Sequence, residues 1–402
     1  MLILFLIVVI DLIGFGVIIP LLPFYAEYYQ ATPFQIGLLM ASYSASQFLA
    51  AAFWGRLSDR IGRRPVLLIS IAGSAVAYTW IGFAETLTVL FAARIMGGFM
   101  AGNLAAAFAY VADITTKENR AKGMGMMGAA FSVGFIFGPA LGGILAGADA
   151  ATADFRTPSF VAAALSAIAC VLGLFFLKES LSDEIRARQK AMTKVNRMRA
   201  LMEALRQPGI RLLIMLSFLS TLVFAGLEAI FAIWSLRQFD WGPQQNGYLF
   251  AFIGVIAAII QGGFIGKLTA RFGTERLIVG GSLGLAVGLA FTPLARTEVE
   301  LIIAMAIASF GFSVLSPALN TAISIRGEAD VQGGLFGVTR SATTLSRVFG
   351  PVLAGGAFAV FGLNSPYVFG AAAMLMVAAL SLYFLIVKKP QNVPKNNSEM
   401  EG

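Results

Sequence analysis

Residues 55–65 read GRLSDRIGRRP, a basic turn of eleven residues with four arginines, one aspartate, two glycines and a closing proline. The runs on either side, 34–54 and 66–84, carry no charge at all. A weaker copy, GKLTARFGTER at 266–276, lies 211 residues further on; it repeats the pattern as Gly266, Leu268, Arg271 and Gly273 and ends in Arg276. A second pair of stretches recurs at almost the same distance, FGPALGG at 137–143 and FGPVLAGG at 349–356, with Pro139 and Pro351 separated by 212 residues. Two independent motif pairs at nearly one offset imply a duplicated chain, each copy about half of it.

Composition says what kind of chain is duplicated. Of 402 residues, 58% are apolar and 12% charged, and the mean hydropathy is +0.81. That is too little charge to cover a soluble surface. Apolar runs of about 18 residues or more recur throughout, each able to cross some 30 Å of hydrocarbon as a helix. The expected fold class is an all-α polytopic membrane protein. There is no histidine, so proton chemistry falls to carboxylates, and a His-ligated metal is excluded. One cysteine, Cys170, allows no internal disulfide. The nearest approach to a phosphate-binding loop, GGFIGKL at 262–268, has the wrong spacing and no Ser or Thr after Lys267. No cofactor is expected, and any transport must run on a gradient. The opening MLILFLIVVI lacks a basic leader and a small-residue cleavage site, so it reads as a retained first span.

Twelve spans are predicted, at 2–22, 34–54, 66–84, 88–112, 123–147, 159–177, 210–235, 246–265, 277–295, 300–325, 334–358 and 367–387. They form two pseudo-symmetric six-helix bundles, 1–177 and 210–387, joined by a polar linker at 178–209 and followed by a disordered tail at 388–402. Placing residues 55–65 in the cytoplasm puts 23 of the 29 basic residues there and leaves the outer loops only Arg156, Arg237 and Arg296. Both termini then face the cytoplasm. The net charge of +8 is topological, and no nucleic-acid partner is expected.

The last three basic residues, Arg94, Arg340 and Arg347, fall inside spans, as do Asp11 and Glu228. A charge at mid-helix costs about 2.5–3.5 kcal/mol on insertion scales, so these five point to a polar interior between helices. Asp11 feels opposing pulls from an apolar surrounding and from any nearby arginine such as Arg94. That suits a reversible proton site, and a fixed Asp11–Arg94 ion pair is the plainer alternative. Glu228 has Phe224 and Phe231 on its own helical face, and Arg347 is its expected partner, as a static or a dynamic pair. Arg340 lies seven residues before Arg347 with Thr344 between them, near enough to the helix end to snorkel. Asn103 and Asn320 either face a substrate cavity or bond between helices.

At the basic turn, Gly55 would let helices approach closely, and Asp59 and Arg63, four apart, can pair. Asp113, closing the fourth span on the same side, is expected to accept Arg60 or Arg64. In the fifth span, GFIFGPALGG at 134–143 places Gly134, Gly138, Gly142 and Gly143 for close packing and Pro139 for a bend.

These stretches together resemble a family. GRLSDRIGRRP is similar to the signature loop between the second and third spans of the major facilitator superfamily. GFIFGPALGG resembles the motif of its drug/proton antiporter branch, DLIGFGVIIPLLP at 11–23 that branch's first-span signature, and LFAARIMGGFMAG at 90–102 its fourth-span arginine motif. Within the branch the chain looks most like tetracycline-efflux-type multidrug transporters. The resemblance implies a central cavity and alternating access coupled to proton entry, with Asp59 and Arg63 as cytoplasmic gate, Arg94 as the cavity arginine, Asp11 as coupling acid, and Gly138 with Pro139 as antiporter bend. The chain departs from the pattern at Gly97, where the signature has Gln, and at Ala77 and across 277–295, where tetracycline pumps carry acids.

The expected function is therefore proton-coupled export of small lipophilic compounds by a monomer in the bacterial inner membrane, not catalysis. An uptake symporter or facilitator for an anionic metabolite is the alternative; a non-transporting scaffold or sensor is the third reading.

Overall fold

Apolar runs of this length leave the backbone no choice in a bilayer but to satisfy its hydrogen bonds within each segment. In a computed structural model, residues 1–116, 119–181, 201–202, 205–327 and 332–387 are described, and their secondary structure is entirely helical. Twelve helices can cross a membrane: Leu2–Tyr28, Pro33–Ile61, Arg63–Gly82, Leu87–Ile114, Lys122–Ala146 and Arg156–Phe176, then Pro208–Phe239, Pro243–Phe272, Thr274–Leu294, Glu298–Arg326, Gln332–Phe361 and Ser365–Val387. They are numbered in that order as spans one to twelve. Most of the 178–209 linker, and all of the 388–402 tail, lie outside the described residues.

The basic turn is shorter than expected. The second span stays helical through Ile61 and the third begins at Arg63, so the corner is Gly62 alone, at φ +111°. Only glycine adopts such a backbone without strain. The second copy turns the same way at Gly273, φ +78°, between Phe272 and Thr274. The duplication is thus written into the backbone as well as the sequence. Caps recur too: Thr32 and Gln35 form a capping box ahead of Pro33, and Thr297 and Glu300 form one ahead of the tenth span.

Each half packs its own six helices, and the two halves meet chiefly where the second span crosses the eleventh and the fifth crosses the eighth. Lipid offers no hydrophobic drive for this contact, so close backbone approach supplies it. A methyl added at Gly143 would sit 2.6 Å from the Pro243 carbonyl, and Gly37 and Gly355 are similarly pressed on Pro351 and Pro33. Gln244 N–H donates across the halves to the Gly147 carbonyl at 3.1 Å, and Arg237 pairs with Glu27 at 3.2 Å. All these contacts lie on the side away from the basic turn. Towards the basic side Gly128, Gly262, Gly266 and Gly337 meet nothing within 4 Å among the described residues. Gly55 does likewise, so the close approach expected there is absent from this state.

Gly143→Val should therefore disfavour this closed far side. Spin labels on the ends of the fifth and eighth spans away from the basic turn should report a longer mean distance than in the wild type. An unchanged distance distribution would mean that this packing does not hold the halves together.

Candidate functional site

Three groups of polar side chains occupy the interior, and they do not merge into one. In the first half, Asp11 sits midway along the first span, where Ser166 of the sixth span donates a hydrogen bond to its carboxylate at 3.0 Å. Arg94 of the fourth span is buried with its guanidinium over the Tyr43 ring, 4.2 Å from the centroid, and its Nε has no hydrogen-bond partner. Tyr43 in turn packs against Phe15, one helical turn beyond Asp11. The plain Asp11–Arg94 ion pair is not formed: a hydroxyl holds the acid and an aromatic face holds the base. Sequence reading missed Tyr43 because an aromatic in an aromatic-rich chain carries no signal of its own.

In the second half Arg347 reaches Glu228 at 3.4 Å, joining the eleventh span to the seventh as expected. Glu228 is 13% exposed and Arg347 is 43% exposed, so the acid is the more buried of the pair. Phe224 stacks on Phe312 at 3.9 Å, and Phe231 is fully buried. Beside Glu228, a cavity of about 30 Å³ is bounded by Phe231, Phe250, Leu289, Met305 and Tyr367. It has room for a water-sized occupant, not a drug. The Arg340 guanidinium lies over the Phe108 ring of the fourth span, 5.2 Å from the centroid. This bridges the two halves. Asn103 bonds to Ser70 between the fourth and third spans, the helix-to-helix use rather than the cavity one. Asn320 is exposed near the basic-side end of the tenth span.

The polar residues of the basic turn converge on one guanidinium. Arg63, 3% exposed, pairs with Asp59 at 2.6 Å and with Asp113 at 3.2 Å, and also donates to Ser58 at 2.8 Å. Asp113 is thus engaged by Arg63, where Arg60 or Arg64 is expected from the sequence. Arg64 donates instead to the Leu174 carbonyl at 2.7 Å, and Arg56 and Arg60 are exposed.

Glu179, which nothing in the primary structure singles out, closes the group. Its carboxylate accepts the backbone N–H groups of Arg63 at 2.9 Å and Arg64 at 3.1 Å, capping the third span from beyond the end of the sixth. Burial pushes its carboxyl up, but the N–H donors of Leu181, Arg63, Arg64 and Ser180 outweigh it and hold the group below its ordinary 4.5. A carboxyl lowered in the folded state stabilises it above the unfolded value and loses that contribution as pH falls through the folded one. Wild-type thermal stability should accordingly fall more steeply below about pH 4.5 than that of Glu179→Gln. Parallel pH curves would mean that Glu179 contributes nothing to this corner.

In the fifth span Pro139 lies inside an unbroken helix, Arg120–Ala146. Gly134, Gly138 and Gly142 press on Leu12, Gly16 and Val17 of the first span, while Gly143 faces the eighth. The 134–143 stretch is thus the surface on which the first span and the opposite half both pack. Helical breaks occur elsewhere, at 3-10 turn Ala101–Asn103 in the fourth span and π-turn Ile260–Phe264 in the eighth.

Residues 4–351 match the Major Facilitator Superfamily, with a second match over 261–402. The chain belongs to the major facilitator superfamily. It is similar to multidrug resistance protein 2 of Bacillus subtilis (strain 168), 30% identical over 96% of this chain and 94% of that one. It is 32% identical to the class C tetracycline resistance protein of Escherichia coli over 86% of both chains. The solved human organic anion transporter MFSD10 (TETRAN) superposes with a TM-score of 0.69 at 26% identity, covering 94% of this chain and 98% of that one. This superfamily member is a multi-pass membrane transporter and not an enzyme.

Seen as a facilitator, the chain has both of its first-half departures in one place. A methyl added at Gly97 would meet the Ala77 side chain at 3.6 Å and the Tyr43 ring at 3.7 Å. Small residues there leave Arg94 to the tyrosine face. The Glu228–Arg347 pair gives a stability test with a built-in asymmetry. Arg347→Gln strands the more buried acid and should cost about 1–3 kcal/mol. Glu228→Gln leaves the more exposed base and should cost under about 1 kcal/mol. Thermal unfolding in detergent decides; the reverse order would contradict the assigned geometry.

Proposed function

We propose that this transporter expels small lipophilic compounds in exchange for protons, by alternating access between the two halves. The observation that carries the reading is Asp11: a carboxylate at mid-span whose hydrogen-bond partner is the neutral Ser166 rather than Arg94. Among the described residues no ion pair fixes its charge, so a proton can come and go without breaking one. With the basic side as the cytoplasm, the state described is closed outward and open inward, ready to take substrate from the cell or the inner leaflet. Proton binding at Asp11 alters the charge on the helix against which the fifth span's glycines pack, and so biases the balance between the two facing states. Arg63, with Asp59 and Asp113, holds the inner rim of the first half as one body. A proton moving through 100 mV provides about 2.3 kcal/mol. That sustains an approximately fifty-fold substrate gradient. The names of the bacterial relatives, multidrug and tetracycline resistance proteins, support export of drug-like compounds.

A second reading, transport of an organic anion, is favoured by the two arginines on the eleventh span and by the similarity to the human organic anion transporter.

The test is accumulation of a panel of lipophilic dyes, with tetracycline included, in efflux-deficient bacteria, with and without an uncoupler. Lower accumulation in expressing cells, erased by the uncoupler, is expected. Equal accumulation of every compound would overturn the export reading.

A further inference from the structure

The eleventh span carries more positive charge into the opening than its neighbours answer. Arg340 and Arg347 are seven residues apart, two helical turns and about 10 Å along one face. Arg347 gives a single nitrogen to Glu228, at 3.4 Å, and remains 43% exposed halfway along a membrane helix. Among the described residues no carboxylate pairs with Arg340, whose partner is the ring of Phe108 across the gap. The hydroxyls between the two arginines, on Thr343 and Thr344, donate back to the Arg340 carbonyl, so the guanidinium groups are the charged donors this face presents. A cation inside a membrane protein that lacks a fixed counter-charge marks a place for a mobile one.

We propose that Arg340 and Arg347 form an anion dock for the substrate, and that the preferred substrates are lipophilic compounds bearing one carboxylate or sulfonate. The planar guanidinium groups suit a carboxylate or sulfonate through paired N–H donors. Glu228 competes with the bound anion for Arg347. An anion drawn to Arg340 also lifts that side chain from Phe108 and loosens the contact it makes between the halves. The inference rests on the opening between the halves being the substrate path, and names the class of compound that path prefers.

The experiment compares pyrenebutyrate with pyrenebutanol, which share an apolar body and differ in charge. Binding is read by fluorescence on the full-length protein in phosphatidylcholine nanodiscs, with empty nanodiscs subtracted. Wild type should bind pyrenebutyrate at least about tenfold more tightly. Arg340→Gln with Arg347→Gln should abolish the preference while leaving pyrenebutanol binding in place. If that double variant does not fold, Arg340→Gln alone, which strands no acid, should reduce the preference by several-fold. Glu228→Gln should raise pyrenebutyrate affinity, an outcome that a merely structural pair would not give.

Equal affinity for the two compounds in wild type, or a preference that survives the double substitution, overturns the proposal. So does loss of pyrenebutyrate binding on adding phosphatidylglycerol, which would make the pair a lipid-headgroup site. Because binding is read without transport, the two readings fail separately. Dye export without anion preference removes only the dock; anion preference without proton-driven movement removes only the exporter.

Discussion

Asp11→Asn is expected to collapse uphill export to the level of uncoupled wild-type cells. With one proton exchanged per substrate at 100 mV, the substrate ratio falls from about fifty-fold to near unity. The change is chemically narrow. Asparagine keeps the shape of the side chain and an oxygen to accept the Ser166 hydroxyl, which lies 3.0 Å from the carboxylate in the wild type. Packing against the fifth span, where Leu12, Ile13 and Gly16 meet Gly134 and Gly138, is untouched. What is lost is the ability to bind and release a proton. Substrate binding and downhill equilibration should therefore persist, and thermal stability should stay close to that of the wild type. Accumulation ratios measured in energised cells, wild type beside variant, check the first part; a variant that still exports uphill would exclude Asp11 as the coupling acid.

Arg63→Ala should give the largest loss of stability of any gate substitution. Arg63 is 3% exposed, and Asp113 beside it is 9% exposed. Breaking a buried pair by removing one partner leaves an uncompensated charge and costs about 3–5 kcal/mol. The Ser58 hydroxyl loses its donor as well. Asp59→Asn should behave differently, because that carboxylate is 57% exposed at a helix end in water. Its loss should cost under about 1 kcal/mol in stability. Thermal unfolding of the two variants in detergent separates the roles. A small loss at Arg63 would mean that Asp113 finds another partner, and the first half's inner rim would then not depend on this guanidinium.

The contrast between these residues explains what the sequence could reveal. Spans were legible because about twenty apolar residues can cross a bilayer only as a helix. The duplication was legible because both corners need a glycine at positive φ, Gly62 and Gly273. Asp59 and Arg63 were legible as an i, i+4 pair on one helical path. Glu228 and Arg347 were legible because few charges lie deep in the second half. Asp113 was assigned the wrong arginine, since adjacent residues at a helix start point about 100° apart and their directions depend on where the helix begins. That start, at Arg63, follows from Gly62 and not from Pro65. Glu179 was invisible because its role depends on where the end of the sixth span folds back. Gly55 was misread for another reason: whether two helices touch there depends on which side of the transporter is open, and a sequence encodes both states at once. Asp11 and Arg94 invite pairing in the sequence because they are the two mid-span charges of the first half, but Ser166 and Tyr43 take their places.

That a proton gradient drives substrate through this chain is a claim that purified protein in proteoliposomes tests without the cell. A pH gradient is imposed across the vesicle membrane, and uptake of the best-exported dye is followed with and without a protonophore. Accumulation above equilibrium is expected, needing the gradient, vanishing with the protonophore and absent in Asp11→Asn. Equilibration at the same rate with and without the gradient would contradict the claim, and would make the protein a facilitator.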